Sequence, residues 1–247
     1  MRFLMIANSF GVNLQSYAQQ IAEANDFDLD IYVLYIGGCP LDLHESNIKE
    51  NKADYELFHN GTTTGKMVSI KEALTMMDWD KISLQQASHY SGNIDTYYPY
   101  FGFVYNYVKE LCPKADILWH ETWAYSPINS FKYETVKDWS TFFNYDNEED
   151  MYNGIVSCLN KILSDYKLDG VIRSGDVIHL ACREIGDTYD VQGFHMNSLG
   201  NYLIGLNFIK LLSGKKINAK FEYPEEAERA IYLIKNAVPL VKASLDV

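Results

Sequence analysis

The sequence predicts an α/β fold, a parallel sheet with helices on both faces. Short apolar runs alternate with amphipathic helical stretches five times along the chain, the order that winds a parallel sheet. With 247 residues, 47% of them hydrophobic, the chain can bury the core of one sizeable domain, and global disorder is excluded. Polar residues fall at the carboxyl ends of the predicted strands, where open α/β sheets bind their ligands.

The first strand is Arg2-Phe3-Leu4-Met5-Ile6-Ala7, which breaks into Asn8-Ser9-Phe10-Gly11. Leu14, Tyr17, Ala18, Ile21 and Ala22 then recur at helical spacing. Such a unit sets a serine hydroxyl at a strand end, beside the unpaired N–H groups of a helix start. On local grounds alone Ser9 reads as a helix cap.

Asp28 to Ile36 is the second strand, ended by Gly37-Gly38-Cys39-Pro40. Leu41 to Asn51 is loop or short helix. Asn60-Gly61 marks the turn of a small hairpin between Tyr55–Phe58 and Lys66–Val68. Ser69 and Glu72 form a capping box for a helix reaching Met77. Asp80 to Leu84 is the third strand and runs into Gln85-Gln86-Ala87-Ser88. Thr96 caps a helix to Leu111, with Pro99 in its first turn.

Ala115 to Trp119 is the fourth strand, ending in His120-Glu121-Thr122-Trp123. An aromatic loop fills residues 122–145, a length usually kept for function. Asn147, with three acids behind it, opens a helix to about Tyr166. Asp169 to Ile172 is the fifth strand, followed by a helix over 176–184, a loop over 187–197 and an amphipathic helix through Leu199, Leu203 and Leu206. Residues 1–215 thus make one domain. Residues 216–247 are a C-terminal helical extension packed on it.

The formal net charge of −12 and pI near 4.9 argue against a nucleic-acid backbone as partner and disfavour an anionic membrane surface. No apolar stretch approaches the roughly 20 residues of a membrane span. Met1 leads almost directly into the first strand with no signal peptide, so the cytoplasm is the default location, with export if a leader was trimmed. The four cysteines form no CxxC pair and read as free thiols. Aromatic residues clustered in loops suit a stacking surface for a sugar.

Asn8-Ser9-Phe10 after the first strand, Gly37-Gly38 after the second, Gln85-Gln86 after the third and a late His195 before a helix resemble an SGNH (GDSL-type) hydrolase. The ordered set "ANSF", "LYIGGCPLDLH", "WDKISLQQASHYSG", "HETWAY" and "GFHMNSLGNYL" is similar to an esterase-like branch of that superfamily, over about Met1 to Leu212. The resemblance implies a three-layer α/β/α sandwich on a doubly wound, five-stranded parallel sheet of flavodoxin-like winding. It also implies ester hydrolysis through a serine, with no metal or organic cofactor.

Residue by residue, the resemblance makes Ser9 the nucleophile and His195 its base. Oxyanion donors would be the Ser9 and Gly38 N–H groups and a side-chain amide, Gln86 with Gln85 as alternate. A glycine at 38 lets the backbone approach substrate without a Cβ. The family's aspartate three residues before the histidine is Gln192 here. Asp190 takes the role if the loop bends; otherwise Gln192 orients the imidazole in a dyad. Asn8, Gln85, Gln192, His120, Glu121 and Trp123 are expected to line the substrate.

Plainer readings stand beside these. His195 can be a histidine satisfied next to its helix, and His120-Glu121 an ion pair; no third ligand has the spacing for a metal. His179 reads as structural, while His44 and His89 lie in loops that would overhang the site. The function expected is a serine esterase acting on small acyl esters, such as O-acetyl groups on carbohydrate. Its rivals are an acyltransferase using the same serine and a non-catalytic carbohydrate-binding descendant, the last suggested by Gln192. The partner is a small-molecule or carbohydrate ester; nothing in the sequence indicates an oligomeric state.

Overall fold

Phe3 and Met5 of the first strand enter one hydrophobic cluster, and Leu4 and Ile6 enter another. That alternation is the pleat of a strand buried on both faces, and five of the six residues of β1 (Arg2–Ala7) are buried. The computed structural model describes residues 1–126, 145, 147–184, 186, 188–190, 192–215 and 217. Most of the aromatic loop over 122–145 and all but one residue of the proposed extension over 216–247 lie outside the described residues.

The strands are β1, β2 (Asp30–Tyr35), β3 (Tyr55–His59), β4 (Thr62–Val68), β5 (Lys81–Leu84), β6 (Asp116–Glu121) and β7 (Gly170–Arg173). They form one sheet in the order β4-β3-β2-β1-β5-β6-β7. The parallel members β2-β1-β5-β6-β7 are the five strands expected from the sequence, wound outward in both directions from β1. The sheet nevertheless has seven strands, not five. The Asn60–Gly61 hairpin does form, with φ +47° and +83° at its turn, the pair of positive angles a two-residue connection needs. Its first strand adds antiparallel to β2, pairing Val33 with Phe58 and Leu34 with Leu57. Local pattern reveals the hairpin but not this docking, which is a contact across the intervening helix.

One face carries α1 (Ser9–Gln15), α2 (Ala18–Glu23), α7 (Ser174–Glu184) and α8 (Ser198–Ser213), whose Leu14, Ile21, Ile178 and Leu203 pack with Phe3 and Met5. The other carries α3 (Leu41–Glu50), α4 (Ile70–Leu74) and α5 (Tyr100–Leu111), whose Leu41, Leu74, Phe101 and Val104 pack with Leu4 and Ile6. Helix α6 (Glu148–Asp165) contributes Met151 and Ile155 to the first cluster and Leu159 and Ile162 to the second.

The capping box forms: Ser69 Oγ accepts the Glu72 N–H at 3.2 Å and Glu72 Oε2 accepts the Ser69 N–H at 2.7 Å. Thr96, by contrast, does not cap α5. It closes a 3-10 turn and donates its hydroxyl to the Asn93 and Tyr90 carbonyls at 2.7 and 3.1 Å, so α5 starts at Tyr100 behind Pro99. None of the four cysteines is joined in a disulfide. Among the described residues, no helix is long and apolar enough to cross a membrane.

Candidate active site

The carboxyl end of β1 delivers Asn8 in extended conformation and then Ser9 as the first residue of α1. The Asn8 side chain caps the helix, its Oδ1 accepting the Phe10 N–H at 3.0 Å. The cap is therefore Asn8 and not Ser9, which is half-buried at the strand end. Gly11 allows this tight entry. A Cβ there would lie 2.5 Å from the Ala7 Cβ, so any larger residue would push α1 off the sheet.

His195 comes from a small turn before α8. An isolated antiparallel bridge pairs Tyr189 with Met196, and the Asp190 N–H donates to the His195 carbonyl at 2.9 Å. Asp190 Oδ1 accepts the N–H groups of Gln192 and Gly193 at 2.9 and 3.0 Å, where Gly193 takes φ +80°. These bonds leave the other oxygen, Oδ2, facing His195 Nδ1 at 3.9 Å. The turn thus bends Asp190 toward the imidazole, while Gln192 is exposed. Burial lowers the His195 pKa, and the Asp190 charge works against that shift.

The His195 ring packs 4.5 Å from Phe194 and 6.1 Å from Phe10, the neighbour of Ser9. Trp123 ties the two segments together. Its ring packs tilted against Phe10, centroids 4.0 Å apart, and it donates its indole N–H to the Phe194 carbonyl at 2.9 Å. Fully buried, Trp123 is a prop between the Ser9 helix and the His195 turn rather than a surface for substrate. At 3.9 Å the Asp190–His195 contact is longer than a hydrogen bond.

Gly38 follows β2 with φ +63° and stands exposed, with open space where a Cβ would be. The turn conformation is thus a reason for glycine in its own right. The loop is tied down from beneath: the Cys39 carbonyl accepts Asn8 Nδ2 at 3.4 Å, and the Leu41 N–H donates to Gln86 Oε1 at 3.0 Å. Gln86 also accepts the Ala87 N–H at 2.8 Å and donates to the Thr96 carbonyl and hydroxyl at 2.9 and 3.1 Å. Its amide is therefore committed to holding the Gly38 loop and the segment after β5.

Gln85 is equally buried and donates to Asn8 Oδ1 at 2.7 Å. His120, expected to touch substrate, is 1% exposed; its ring nitrogens meet Gln85 Oε1 at 3.1 Å and Ser174 Oγ at 2.9 Å. Asn8, Gln85 and His120 therefore form a layer beneath the site and not its surface. Ser174 escapes a sequence reading that starts the helix at residue 176; the signal it carries is a polar residue at a strand end, as in Gln85 and His120.

Glu121 is fully buried beside Arg173, at 3.6 Å, and accepts the Asp176 N–H at 3.4 Å. Burial, and then Asp176, push its carboxyl pKa up. Gly175 makes room, since a Cβ there would meet the Thr122 carbonyl at 2.4 Å. The expected substrate contact at Glu121 is thus an interior charge cluster, which is the ion-pair reading with Arg173 in place of His120. Among the described residues, Glu148, Glu149 and His179 approach closely enough to share an ion. His179 already pairs with Glu148 at 2.7 Å, and Arg183 pairs with Glu149.

His44 and Cys39 are also interior. His44 Nδ1 meets the Tyr55 hydroxyl at 2.8 Å and Cys39 Sγ at 3.5 Å, and burial lowers the imidazole pKa to about 4. Burial pushes the Cys39 thiol up to about 12, so it is no nucleophile.

The fold is shared with solved proteins described as a GDSL-like lipase and a carbohydrate esterase. The chain itself belongs to the family of the domain of unknown function DUF4886, which matches residues 2–239. A DUF4886 family protein from Bacteroides uniformis has 28% identity and a TM-score of 0.86, over 97% of this chain and 95% of that one. A GDSL-like lipase candidate from Parabacteroides merdae has 12% identity and a TM-score of 0.59, over 87% and 96%. A carbohydrate esterase family 3 protein from Talaromyces cellulolyticus has 10% identity and a TM-score of 0.51, over 87% and 97%. No curated protein matches the chain in sequence.

Proposed function

We propose that the chain is a serine esterase that removes small acyl groups, O-acetyl groups on carbohydrate in particular. The observation that carries the reading is the Asp190–His195 turn held beside the start of α1, where Asn8 does the capping and Ser9 does not need to. In this reading Ser9 Oγ attacks the acyl carbonyl as His195 Nε2 takes its proton, and Asp190 stabilises the imidazolium. The Ser9 and Gly38 N–H groups receive the oxyanion. The alcohol leaves with the proton from His195. Water, deprotonated by His195, then attacks the acyl-Ser9 ester and releases the acid. The side-chain amide donor expected from Gln86 is not part of this reading, because its nitrogen already donates to the Thr96 carbonyl and hydroxyl. The carbohydrate part of the reading is drawn from the carbohydrate esterase that shares the fold.

Hydrolysis of p-nitrophenyl acetate and acetate release from an acetylated oligosaccharide test this reading. Ser9→Ala and His195→Ala are each expected to lower kcat by about 10³-fold or more. An added alcohol acceptor that captures the acyl group in place of water would make the enzyme a transferase. Turnover that survives Ser9→Ala, or no turnover together with no labelling of Ser9 by a fluorophosphonate, would overturn it.

A further inference from the structure

Beneath Ser9 a line of hydrogen bonds crosses the ends of all five parallel strands. Ser174, after β7, meets His120 Nε2 at 2.9 Å, and His120 Nδ1, at the end of β6, meets Gln85 Oε1 at 3.1 Å. Gln85, after β5, donates to Asn8 Oδ1 at 2.7 Å; Asn8, after β1, donates to the carbonyl of Cys39, beyond β2, at 3.4 Å. Asn8, Gln85 and His120 are 1% exposed and Ser174 is 0% exposed, so the line lies in the interior.

Each link has one polarity. The Cys39 carbonyl can only accept and the Phe10 N–H can only donate, which turns the Asn8 amide nitrogen to Cys39 and its oxygen to Phe10. Gln85 must then give an N–H to Asn8 and accept through Oε1. His120 must carry its proton on Nδ1, because Gln85 Oε1 has none to give. Burial keeps the ring neutral, with a pKa of about 3, so Nε2 accepts the Ser174 hydroxyl proton.

We propose that Gln85 and His120 are positioning residues: through Asn8 they hold the first turn of α1, with Ser9, and the Gly38 loop in one mutual geometry for acyl transfer. The proposal rests on Ser9 being the nucleophile. Asn8 is the junction, since its oxygen fixes the Phe10 N–H and its nitrogen fixes the Cys39 carbonyl. Displacing reacting groups by about 1 Å can slow an enzyme on the order of 10²-fold.

Steady-state hydrolysis of p-nitrophenyl acetate by His120→Leu and His120→Asn tests it, with circular dichroism to verify folding. The leucine removes both links; the asparagine offers an amide N–H near the position of Nδ1. The expected result is a kcat on the order of 10- to 100-fold lower in His120→Leu, with KM within about twofold, and recovery of most of kcat in His120→Asn. Histidine-selective ¹⁵N NMR of the unmodified protein adds a readout that needs no folded leucine variant, and His120 is expected as the Nδ1–H tautomer at neutral pH. An Nε2–H tautomer overturns the proposal. So does a folded His120→Leu with wild-type kcat while Ser9→Ala is inactive. Turnover in Ser9→Ala would instead mark failure of the nucleophile assignment.

Discussion

Asp190 splits its carboxylate between two tasks: Oδ1 binds the backbone N–H groups of Gln192 and Gly193, and Oδ2 faces His195 Nδ1 at 3.9 Å. One residue thus shapes the turn and supplies the charge behind the imidazole. Asp190→Asn is expected to lower kcat for ester hydrolysis on the order of 10²-fold, less than a hydrogen-bonded triad acid would lose. Gln192→Ala, at an exposed position, is expected to change it by about twofold or less. Equal losses in the two variants would make Gln192 the orienting group.

The His195 environment also sets a pH profile. In the proposed reaction His195 must be neutral to accept a proton, and burial lowers its pKa, so the acid limb of kcat/KM is expected below the ordinary imidazole value of about 6.5. Asp190 acts to raise that pKa. Its replacement by asparagine should therefore move the limb to still lower pH. A limb above about 6.5 would contradict the burial of the ring.

Gly11→Ala places a methyl group 2.5 Å from the Ala7 Cβ and 3.5 Å from Gln85 Oε1. Ala7 is the last residue of β1 and Gln85 follows β5 directly, so α1 has to give. Overpacking of this kind costs about 1–3 kcal/mol, read as a lowered urea midpoint. A wild-type midpoint would show that α1 tolerates displacement.

Acid stability should depend on the two buried histidines. His44 and His120 have pKa values lowered to about 4 and about 3, so below about pH 6.5 the unfolded chain binds protons that the folded chain refuses. Their stability contribution is complete above that pH and falls on acidification, by about 1.4 kcal/mol per pH unit for each histidine inside its window. Glu121, with its raised pKa, acts in the opposite sense above the ordinary carboxylate range. Between pH 7 and pH 4.5 the urea midpoint is expected to fall more in the wild type than in His44→Gln. An equal fall would show that His44 is hydrated.

The local features were legible because their physics is local. The capping box at Ser69 and Glu72, the Asn60–Gly61 turn and the five parallel strands all appear where residue spacing puts them. Asp190 was legible as one of two alternatives, because chain direction through Gly193 decides between it and Gln192. What the sequence hid is which strand-end polar groups face outward. Gly38 is exposed and Ser9 half-buried, while Gln85, Gln86 and His120 are buried and bond one another or the groups around them. Composition is the same in both cases; burial comes from strand order, which no single segment encodes. The docking of β3 on β2 escaped for the same reason.

That docking has an effect beyond the strand count. With β3 hydrogen-bonded along it, β2 is an interior strand, and the outer ladder belongs to β4, nearly all of whose residues are exposed. Fraying therefore starts at β4 and has to consume the whole hairpin before it reaches the strand that carries Gly38. Amide exchange should follow that order, fast in the outer half of the hairpin and slow in β2, so the margin of the sheet acts as a sacrificial fringe for the loop at its centre.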